Sequence, residues 1–482
     1  MKRVLLTVHK FFPAHKAGTE VLALKTAQEL IKRGYEVLVV TGNPPDLDAR
    51  LTEANQNNLS SDYEFDGVKV HVVEEGLRLG SYSFSHEFYH PEIKNHFGRI
   101  LDEFRPDLVH IVHAQNLSSS IIDAAKERNL PVVFSATDFW FVCPIVQLTR
   151  PDGAMCRGPE GFSQKGRAHN CLTCYTPKLF APVSEFSEAM HKKSKPLAQS
   201  IDKLPAVLRD AMWQSLYKLY LLGKIKPAVE ATLARPKTLI QKANLLDAIA
   251  VPTKLMYDIF VENGIKPELL EHIPYGLDTS RLVVHQNKTP SDKLRIGFIG
   301  TLYEHKGTDL LIRAFQALPV TAKAQLTIYG DTNQFPEYTS KLEELCKKGC
   351  ANSDKITFAG TFANEKLGEV LENMDVLVVP SRWYENTPLV IQSALATKTP
   401  VIATDLGGMS ELIQPGVNGL LFTLNDVDSL KQQLEKLLNN PQLLLAMRNN
   451  IKPERTIAQM VDDLEAIYAK VENAGKGALV IS

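Results

Sequence analysis

Short apolar runs alternate with helical patterns along this chain, and they do so in two separate series. Such runs, joined by segments in which apolar residues recur every three or four positions, are typical of parallel strands with helices on both faces of the sheet. The sequence therefore predicts an α/β protein with two doubly wound parallel sheets. The runs cover residues 4–8, 36–41, 68–73, 108–112 and 132–136 in the first series, and 294–299, 326–328, 356–358, 376–379, 401–403 and 420–422 in the second.

The length of the chain and a loss of periodicity near its middle indicate two domains. A chain of 482 residues is too long for one ordinary core. Residues 273–293 gather turn residues and lose both helical and strand patterns. We therefore predict Rossmann-like domains at 1–283 and 284–454. Two insertions interrupt the first domain: a segment rich in Cys, Gly and Pro at 139–175, and a mainly helical segment at 176–240.

The composition excludes several classes of protein. Apolar residues make up 44% and charged residues 23%, which is ordinary for a globular protein and argues against disorder. The formal net charge of −1 gives no global reason to expect nucleic acid as a partner. The first apolar run is too short for a signal peptide, and no stretch approaches the roughly 18 to 20 apolar residues of a membrane span. We expect a cytoplasmic protein, or one peripheral at the inner face of a membrane.

One part of the helical insertion is locally basic. Residues 203–226 can form an amphipathic helix, and between Lys192 and Lys226 the chain has eight Lys or Arg residues and two Asp residues. A basic amphipathic helix can lie on an anionic membrane surface. It can equally pack on its own domain with its lysines in water, and both alternatives stay open.

The most informative segment spans residues 380–412. It contains a loop with the carboxylate of Glu385, a helix near 388–396, a buried strand at 400–403 and a Gly-Gly turn. At the carboxyl edge of a parallel sheet, such a run places a carboxylate beside a helix N-terminus. Because the free N–H groups and the helix dipole attract phosphate, the segment predicts a site for a sugar carried on a diphosphate.

A second segment runs from a strand through Gly300 into a helix that begins near Gly307, with Lys306 at its mouth. A lysine beside a helix N-terminus can neutralise the charge that develops on a diphosphate leaving group. On its own, the pattern also fits structural glycines and a solvated lysine. Together with the 380–412 segment, it predicts a diphosphate site.

Features of the first domain indicate what faces that site. No Gly-x-Gly-x-x-Gly follows the first strand, which argues against an NAD-dependent dehydrogenase. Gly18 opens the first helix after a long loop, where it is either a turn glycine or a point at which substrate approaches the backbone. His113 directly follows the apolar run at 108–112, so it is expected at the carboxyl edge of the sheet. His110 lies within that run and is expected in the core.

The two donor-side segments resemble the nucleotide-sugar site of glycosyltransferase family 4, whose group 1 enzymes have the two-domain GT-B fold. That region usually has a Glu, seven residues, a second Glu, and then a Gly-Gly turn before another Glu. Ser393 stands in the place of the second Glu. Thr301 stands where an Arg often follows the glycine, and His305 is a candidate substitute for that charge. The matching positions are Glu385, Leu389, Val390, Gly407, Gly408 and Glu411.

The resemblance implies roles for the donor-side residues. Lys306 would hold the diphosphate and Glu385 the sugar hydroxyls, and both would be catalytic. The backbone N–H groups of Leu389 and Val390 would bind a phosphate. The full donor-binding set is Gly18, Gly300, Thr301, Lys306, Glu385, Leu389, Val390 and Ser393.

On the acceptor side, the resemblance gives a catalytic role to His113, beside the donor sugar and the acceptor. Asp138 matches the second residue of a His-Asp pair that relatives often have, and Thr137 replaces the first. The family also implies that a helix at 455–475 packs back on the first domain. It further implies a transfer that retains the anomeric configuration and needs neither a cofactor nor a catalytic metal.

Four of the six cysteines lie in or at the Cys-rich insertion. Cys171 and Cys174 have the two-residue gap that tetrahedral zinc favours, and Cys143 and Cys156 can complete four thiolates. A structural zinc ion is the first hypothesis, and reduced thiols or disulfides are the alternatives.

The sequence thus predicts an enzyme that moves a sugar from a nucleotide-sugar donor to a hydroxyl of a glycan, a lipid or a small molecule. Its partners would be that donor and a glycan or lipid-linked acceptor, with no nucleic acid and with a peripheral membrane contact left open. Two other functions are compatible with the sequence: a nucleotide-sugar epimerase of the same fold, and a non-catalytic glycan- or nucleotide-binding protein. The departures at Thr137, Thr301 and Ser393 motivate the second of these.

Overall fold

The computed structural model contains two parallel sheets, each covered by helices. It describes residues 1–42, 62–73, 84–159, 171–174, 195–280, 282, 288–289, 291–347 and 351–479. Parts of both predicted insertions, at 160–170 and 175–194, and part of the predicted domain boundary, at 283–287, lie outside the described residues.

The first sheet is built mainly from the first series of apolar runs. Its strands are β1 (Arg3–Val8), β2 (Glu36–Gly42), β3 (Asp62–Phe65), β4 (Val68–Val73), β5 (Leu108–Ile111), β6 (Val132–Ser135), β7 (Ala248–Val251) and β8 (Leu270–His272). The order across the sheet is β3-β4-β2-β1-β5-β6-β7-β8, and only β3 and β4 pair antiparallel. Because β1 lies between β2 and β5, the winding reverses there, and the carboxyl ends of β1 and β5 border a crevice.

The second sheet is wound in the same way. Its strands are β9 (Leu294–Ile299), β10 (Ala324–Tyr329), β11 (Ile356–Gly360), β12 (Val376–Val379), β13 (Val401–Thr404) and β14 (Gly419–Phe422). Their order is β11-β10-β9-β12-β13-β14, and all are parallel. The reversal falls between β9 and β12, so the loops after these two strands border the second crevice.

Helices cover both sheets. The helices of the first part of the chain are α1 (Gly18–Lys32), α2 (Pro91–Phe104), α3 (Ser120–Lys126), α4 (Lys195–Asp202), α5 (Ala206–Ala243) and α6 (Lys254–Glu262). Those of the second part are α7 (Thr308–Gln316), α8 (Pro336–Lys347), α9 (Leu367–Glu372), α10 (Leu389–Ala396), α11 (Gly408–Leu412), α12 (Val427–Asn439), α13 (Pro441–Asn450) and α14 (Ile457–Leu479).

The predicted pair of doubly wound sheets is confirmed, and each predicted apolar run lies on a strand. Three strands of the first sheet, β3, β7 and β8, were not predicted. β3 pairs with β4 across Asp66 and Gly67, which both have positive φ, at 50° and 80°. Asp-Gly is a strong signal for a two-residue hairpin turn, so this strand could have been found from the sequence.

The last helix, α14, returns to the first sheet and completes its core. Its buried face includes Val461 and Leu464, which cluster with residues of β1, β2 and α1. The Tyr468 hydroxyl lies 2.6 Å from His110 Nδ1, and His110 Nε2 lies 2.8 Å from Ser135 Oγ. His110 is 1% exposed, so its prediction as a core residue is confirmed.

The chain passes between the two domains at two adjacent points. The Leu277 N–H donates to Arg455 O at 2.8 Å, and the Ile457 N–H donates to Leu277 O at 3.3 Å. Gly276 is required at this crossing because a Cβ there would lie 2.3 Å from Thr456 O.

Helix α5 has a buried end and an outlying end. Near its C-terminal end, Arg235 is 1% exposed; its Nε donates to Glu87 at 2.7 Å and its Nη2 donates to Trp140 O at 2.7 Å. Trp140 Nε1 donates to the same Glu87 carboxylate at 2.7 Å. The outlying end packs with α4 in a small separate cluster around Trp213. None of the helices in the described part of the chain, α5 included, combines the length and apolar character needed to cross a bilayer.

We expect Arg235→Ala to lower the unfolding free energy of the first domain by roughly 3 to 5 kcal/mol, because it leaves the Glu87 carboxylate without its cation. Lys237→Ala, at an exposed position two residues further along the same helix, is the matched control. Thermal and urea unfolding followed by circular dichroism measure both. Equal stability of the two variants would contradict this account of the α5 anchor.

Candidate functional site

The candidate site begins where the loops after β9 and β12 approach each other. The first loop ends in a 3₁₀ turn at Glu304–Lys306, followed by Gly307 with a φ of 70°. A Cβ at Gly307 would lie 2.0 Å from Pro380 O. Glycine is therefore needed for this approach, which brings Lys306 against the loop that contains Glu385.

Glu385 is the centre of the donor-side loops. Its Oε1 accepts hydrogen bonds from Lys306 Nζ at 2.6 Å, Trp383 Nε1 at 2.7 Å and Ser381 Oγ at 2.8 Å. The side chain is 12% exposed. Burial alone would raise the pKa of this carboxyl, but the Lys306 ammonium and the three hydrogen bonds hold that pKa below its usual value. Glu385 is therefore an ionised carboxylate at neutral pH, paired with a neighbouring cation.

A second ion pair fixes the same loop. Arg382 donates to the two carboxylate oxygens of Asp309 at 2.7 and 2.9 Å, and its backbone N–H donates to His305 O at 2.8 Å. Asp309 lies in the first turn of α7, where a carboxylate also complements the helix dipole. Arg382 and Trp383 were not predicted, although both lie within three residues of Glu385 in the chain.

His305 does not supply a second cation at this site. Its ring centroid lies 4.4 Å from that of Trp383 and 5.1 Å from that of Tyr303. Burial, and then the neighbouring Lys306 charge, lower the pKa of His305 to about 4. The imidazole is therefore neutral near pH 7. It does not replace the basic residue that relatives often have where this chain has Thr301.

The N-terminus of α10 opens beside Glu385. Pro388 precedes Leu389 and Val390, whose backbone N–H groups belong to the turn that lacks intrahelical acceptors. Ser393, on the next turn, is 3% exposed and donates its hydroxyl to Leu389 O at 2.8 Å. The helix uses this hydroxyl, and the place of Ser393 in the donor-binding set stays a prediction.

The Gly-Gly turn leads into α11, and Glu411 of that helix contacts the other domain. A Cβ at Gly408 would lie 1.6 Å from Asn386 O, so this turn packs directly on the Glu385 loop. Glu411 accepts the backbone N–H groups of Lys254 and Leu255, both at 2.8 Å. These are the first residues of α6, so Glu411 caps a helix of the first domain from across the cleft.

On the acceptor side, His113 and Asp138 form a pair. The Gln115 N–H donates to His113 Nδ1 at 2.9 Å, and His113 Nε2 lies 2.8 Å from Asp138 Oδ2. Because Nδ1 is an acceptor, the neutral ring carries its proton on Nε2 and donates it to Asp138. Burial would raise the pKa of Asp138, but His113 and the Trp140 N–H hold that pKa below its usual value. His113 is 2% exposed, and both of its ring nitrogens are engaged within the protein.

Two further residues lie beside His113, and no role was predicted for either. The His9 ring centroid lies 4.4 Å from that of His113, and His9 Nε2 lies 3.5 Å from Glu20 Oε1. Burial, and then His113, lower the pKa of His9 to about 2, while burial raises the pKa of Glu20. Glu20 is 2% exposed, and its Oε2 has no hydrogen-bond partner among the described residues. His9 directly follows β1 and His113 lies just beyond β5, so the adjacency of these parallel strands was the available signal.

The two halves of the site touch through the residue next to Glu385. Asn386 Nδ2 donates to Thr137 O at 3.3 Å and to the Tyr275 hydroxyl at 3.0 Å. Since Thr137 precedes Asp138, residues adjacent to the donor-side carboxylate and to the acceptor-side carboxylate are in direct contact across the cleft.

The remaining predicted residues lie around this contact. A Cβ on Gly18 would lie 3.7 Å from Leu389 Cδ1, so the start of α1 faces the start of α10. Gly300 and Thr301 lie between β9 and the Glu304–Lys306 turn. The Gly300 N–H donates to Tyr329 O at 3.1 Å.

Comparison with known proteins identifies the family. Residues 17–152 match the family model for Glycosyltransferase Family 4, and residues 282–454 match the model for Glycosyl transferases group 1. The chain belongs to the group 1, family 4 glycosyltransferases. The resemblance predicted from its motifs is thereby confirmed.

Individual relatives of this glycosyltransferase-family chain are distant. An uncharacterized glycosyltransferase of Methanocaldococcus jannaschii is 31% identical over 163 residues, which is 34% of this chain and 40% of that protein. The chain spans about two fifths of the length of the first curated relatives that it matches. Sucrose-phosphate synthase from Thermosynechococcus elongatus has a TM-score of 0.61 at 16% identity, and HepE from Anabaena in complex with UDP has 0.59 at 15%. Each covers 100% of both chains, and the likeness shows that the fold is GT-B.

The four cysteines of the structural zinc hypothesis lie around one cavity in this glycosyltransferase-family chain. Cys143, Cys156, Cys171 and Cys174 line one cavity of about 20 Å³. No three His, Cys, Asp or Glu side chains in the described part of the chain are arranged to hold a metal ion. Burial raises the pKa of Cys143 to about 11 and that of Cys171 to about 12. The four thiols are not paired as disulfides, and structural zinc stays a prediction.

The Asp138 carboxylate gives a pH-dependent prediction. Its pKa is lower in the folded protein than in the unfolded chain, so its stabilisation is fully present above the unfolded value, about 4, and is lost as the pH falls through the folded value. We expect Asp138→Asn to lower the unfolding free energy by roughly 1 to 2 kcal/mol at neutral pH, and by progressively less as the pH falls below about 4.

Asp354→Asn, at an exposed position of the second domain, is the control for this experiment. Urea unfolding of the wild type and both variants across the pH series measures the effect. A difference between Asp138→Asn and the wild type that is the same at every pH would contradict the pairing with His113.

Proposed function

We propose that this chain transfers a sugar from a nucleotide-diphosphate donor to a hydroxyl of a glycan or lipid-linked acceptor, with retention of the anomeric configuration. The observation that carries the proposal is the hydrogen bond from Asn386 to Thr137 O, at 3.3 Å. It joins the loop of Glu385, which Lys306 contacts from a second loop, to the loop of Asp138. A donor sugar bound at the first loop therefore faces an acceptor bound beside the second.

Lys306 and α10 would stabilise the leaving diphosphate. The Lys306 ammonium and the N-terminal N–H groups of α10 present positive charge on the same side of the cleft. An arriving diphosphate shares Lys306 with Glu385, and Trp383 and Ser381 continue to hold the Glu385 carboxylate. The second carboxylate oxygen of Glu385, Oε2, is then oriented toward the hydroxyls of the sugar. This supply of positive charge by the chain itself supports catalysis without a metal ion.

The diphosphate itself would act as the base. The two ring nitrogens of His113 are bonded to Gln115 and Asp138, and the lowered pKa of Asp138 makes that carboxylate a poor proton acceptor. In the reaction, the bond from the anomeric carbon to the phosphate oxygen breaks, and a bond to the acceptor oxygen forms on the same face. The acceptor proton passes to the departing diphosphate oxygen. His113 and Asp138 then orient the acceptor and do not remove its proton.

A nucleotide-release assay tests the proposal. UDP-, GDP- and ADP-sugars are offered with and without lipid and glycan acceptors, beginning with UDP-sugars because one GT-B relative of known structure is described in complex with UDP. Acceptor-dependent release of nucleotide supports the transferase. Conversion of the donor without an acceptor would favour the epimerase, and binding without turnover would favour the non-catalytic protein.

We expect Lys306→Ala to slow transfer by about 10² to 10³, because it removes a cation from the place where the leaving group becomes charged. Lys366→Ala is the matched control, since Lys366 ends a similar 3₁₀ turn in the same domain and is exposed. The rate of nucleotide release under saturating donor measures both variants. A loss below about threefold for Lys306→Ala would remove this lysine from the mechanism.

We expect Glu385→Gln to impair sugar transfer while leaving the affinity for the free nucleotide nearly intact. The change keeps the size of the side chain but removes charge-assisted hydrogen bonds to sugar hydroxyls, each worth roughly 1.5 to 3 kcal/mol. Calorimetric titration with nucleotide and with nucleotide-sugar separates the two effects. Equal loss of affinity for both ligands would show that Glu385 does not contact the sugar.

A further inference from the structure

The outlying end of α5 carries an unusual concentration of exposed apolar side chains. Fourteen large apolar residues are exposed in the described part of the chain, and six of them lie between Leu197 and Ile225. Single exposed apolar residues are ordinary on a protein surface, but a contiguous group marks an interaction surface. The exposed apolar residues of this region are therefore a candidate interaction surface.

Three of these residues form a stripe along the helix. Leu208, Met212 and Leu219 are spaced by four and seven positions, so at about 100° per residue they project within about 40° of one another. They are 57%, 44% and 65% exposed. We call the outward side of residues 207–219, together with Lys226, the α5 outer face.

The core of the insertion does not use this face. Trp213 is buried with Ala198 and Ile201 of α4, and Leu216 and Tyr217 pack against the same cluster. Trp213 and Tyr217 project roughly 120° to 180° away from Leu208 and Leu219 around the helix. The packing alternative left open by the sequence thus accounts for one side of the helix and leaves the outer face unpartnered among the described residues.

The charge around the stripe is positive. Residues 203–226 contain five Lys or Arg residues, Lys203, Arg209, Lys218, Lys224 and Lys226, and one Asp, whereas the whole chain has a net charge of −1. Lys218 is exposed, and the Lys226 side chain is 85% exposed. An apolar stripe flanked by lysines matches the boundary of an anionic bilayer, where the stripe meets acyl chains and the lysines meet headgroups.

We propose that the α5 outer face docks on an anionic lipid surface. A second copy of this chain fits the face less well, because two basic faces would repel each other. This docking does not depend on enzymatic activity, so it is independent of the proposed transferase function.

The anchor of α5 connects this surface to the cleft. Arg235 binds Glu87 and the Trp140 backbone, and the Trp140 ring centroid lies 5.9 Å from that of His113. Leu219 precedes Arg235 by 16 positions, which corresponds to about 24 Å along a helix. Docking would therefore hold the acceptor side of the cleft near the lipid surface. If the chain is the transferase proposed above, this position favours a lipid-linked acceptor.

Vesicle flotation tests the docking. Wild-type protein is mixed with vesicles of phosphatidylcholine alone, or of phosphatidylcholine with phosphatidylglycerol, at low and high salt. We expect it to float with the anionic vesicles, less so at high salt. The variant L208S/M212S/L219S should bind at least about 30-fold more weakly, and K218E/K226E at least about tenfold more weakly.

Matched variants complete the experiment. V320S/L445S changes exposed apolar residues elsewhere, and K341E/K347E reverses two exposed lysines of α8; both should bind like the wild type. Circular dichroism confirms that each variant is folded. Failure of the wild type to float, or equal weakening in the control variants, overturns the proposal. So does self-association in the absence of lipid that L208S/M212S/L219S abolishes, because the face would then belong to a second copy.

The two proposals fail separately. If the chain floats but releases no nucleotide from any sugar donor, the docking stands and the transferase proposal falls. If it transfers sugar to soluble acceptors and never floats, the reverse holds.

Discussion

The rest of the candidate site depends on the ion pair and hydrogen bonds that hold the Glu385 carboxylate. A carboxylate that is 12% exposed must be compensated by hydrogen bonds or by a cation, and here it has both. Its donors come from two loops, so the loops must meet, and Gly307 makes the meeting sterically possible. The site is thus preformed around one buried charge, with Lys306 already held where an anionic ligand would arrive.

Polar contacts join the two domains across the cleft. The Asn386 amide bonds to Thr137 and Tyr275, the Gln392 amide donates to Tyr275 O at 3.1 Å, and Glu411 caps α6. Bonds of this kind exchange with bonds to water at a small net cost, in contrast to the loss of an apolar core. The same groups that align the halves of the site can therefore release them. This suits a cleft that must admit a large donor and discharge a nucleotide.

The sequence predicted the architecture well because buried parallel strands read directly as apolar runs. It also predicted Lys306 and Glu385 separately, since each has a local motif. Their 2.6 Å pairing joins residues 79 positions apart, and no local pattern could specify it. No role was predicted for His9 or Glu20, because their importance comes from burial beside His113. The spacing of Cys171 and Cys174 predicted a zinc site, but spacing does not determine how four side chains are arranged in space, so that site stays a prediction.

The return of α14 to the first sheet has a consequence for the order in which the protein is made. The core around β1 and β5 includes Val461, Leu464 and Tyr468, and Tyr468 bonds to His110 at the centre of the sheet. During synthesis, the N-terminal domain therefore leaves the ribosome without one of its covering helices. The apolar surface that α14 covers stays exposed until the entire second domain has been translated. The second domain, whose strands and helices are contiguous in the chain from β9 to α13, has no such delay, so the half that is made last can be the first to finish folding.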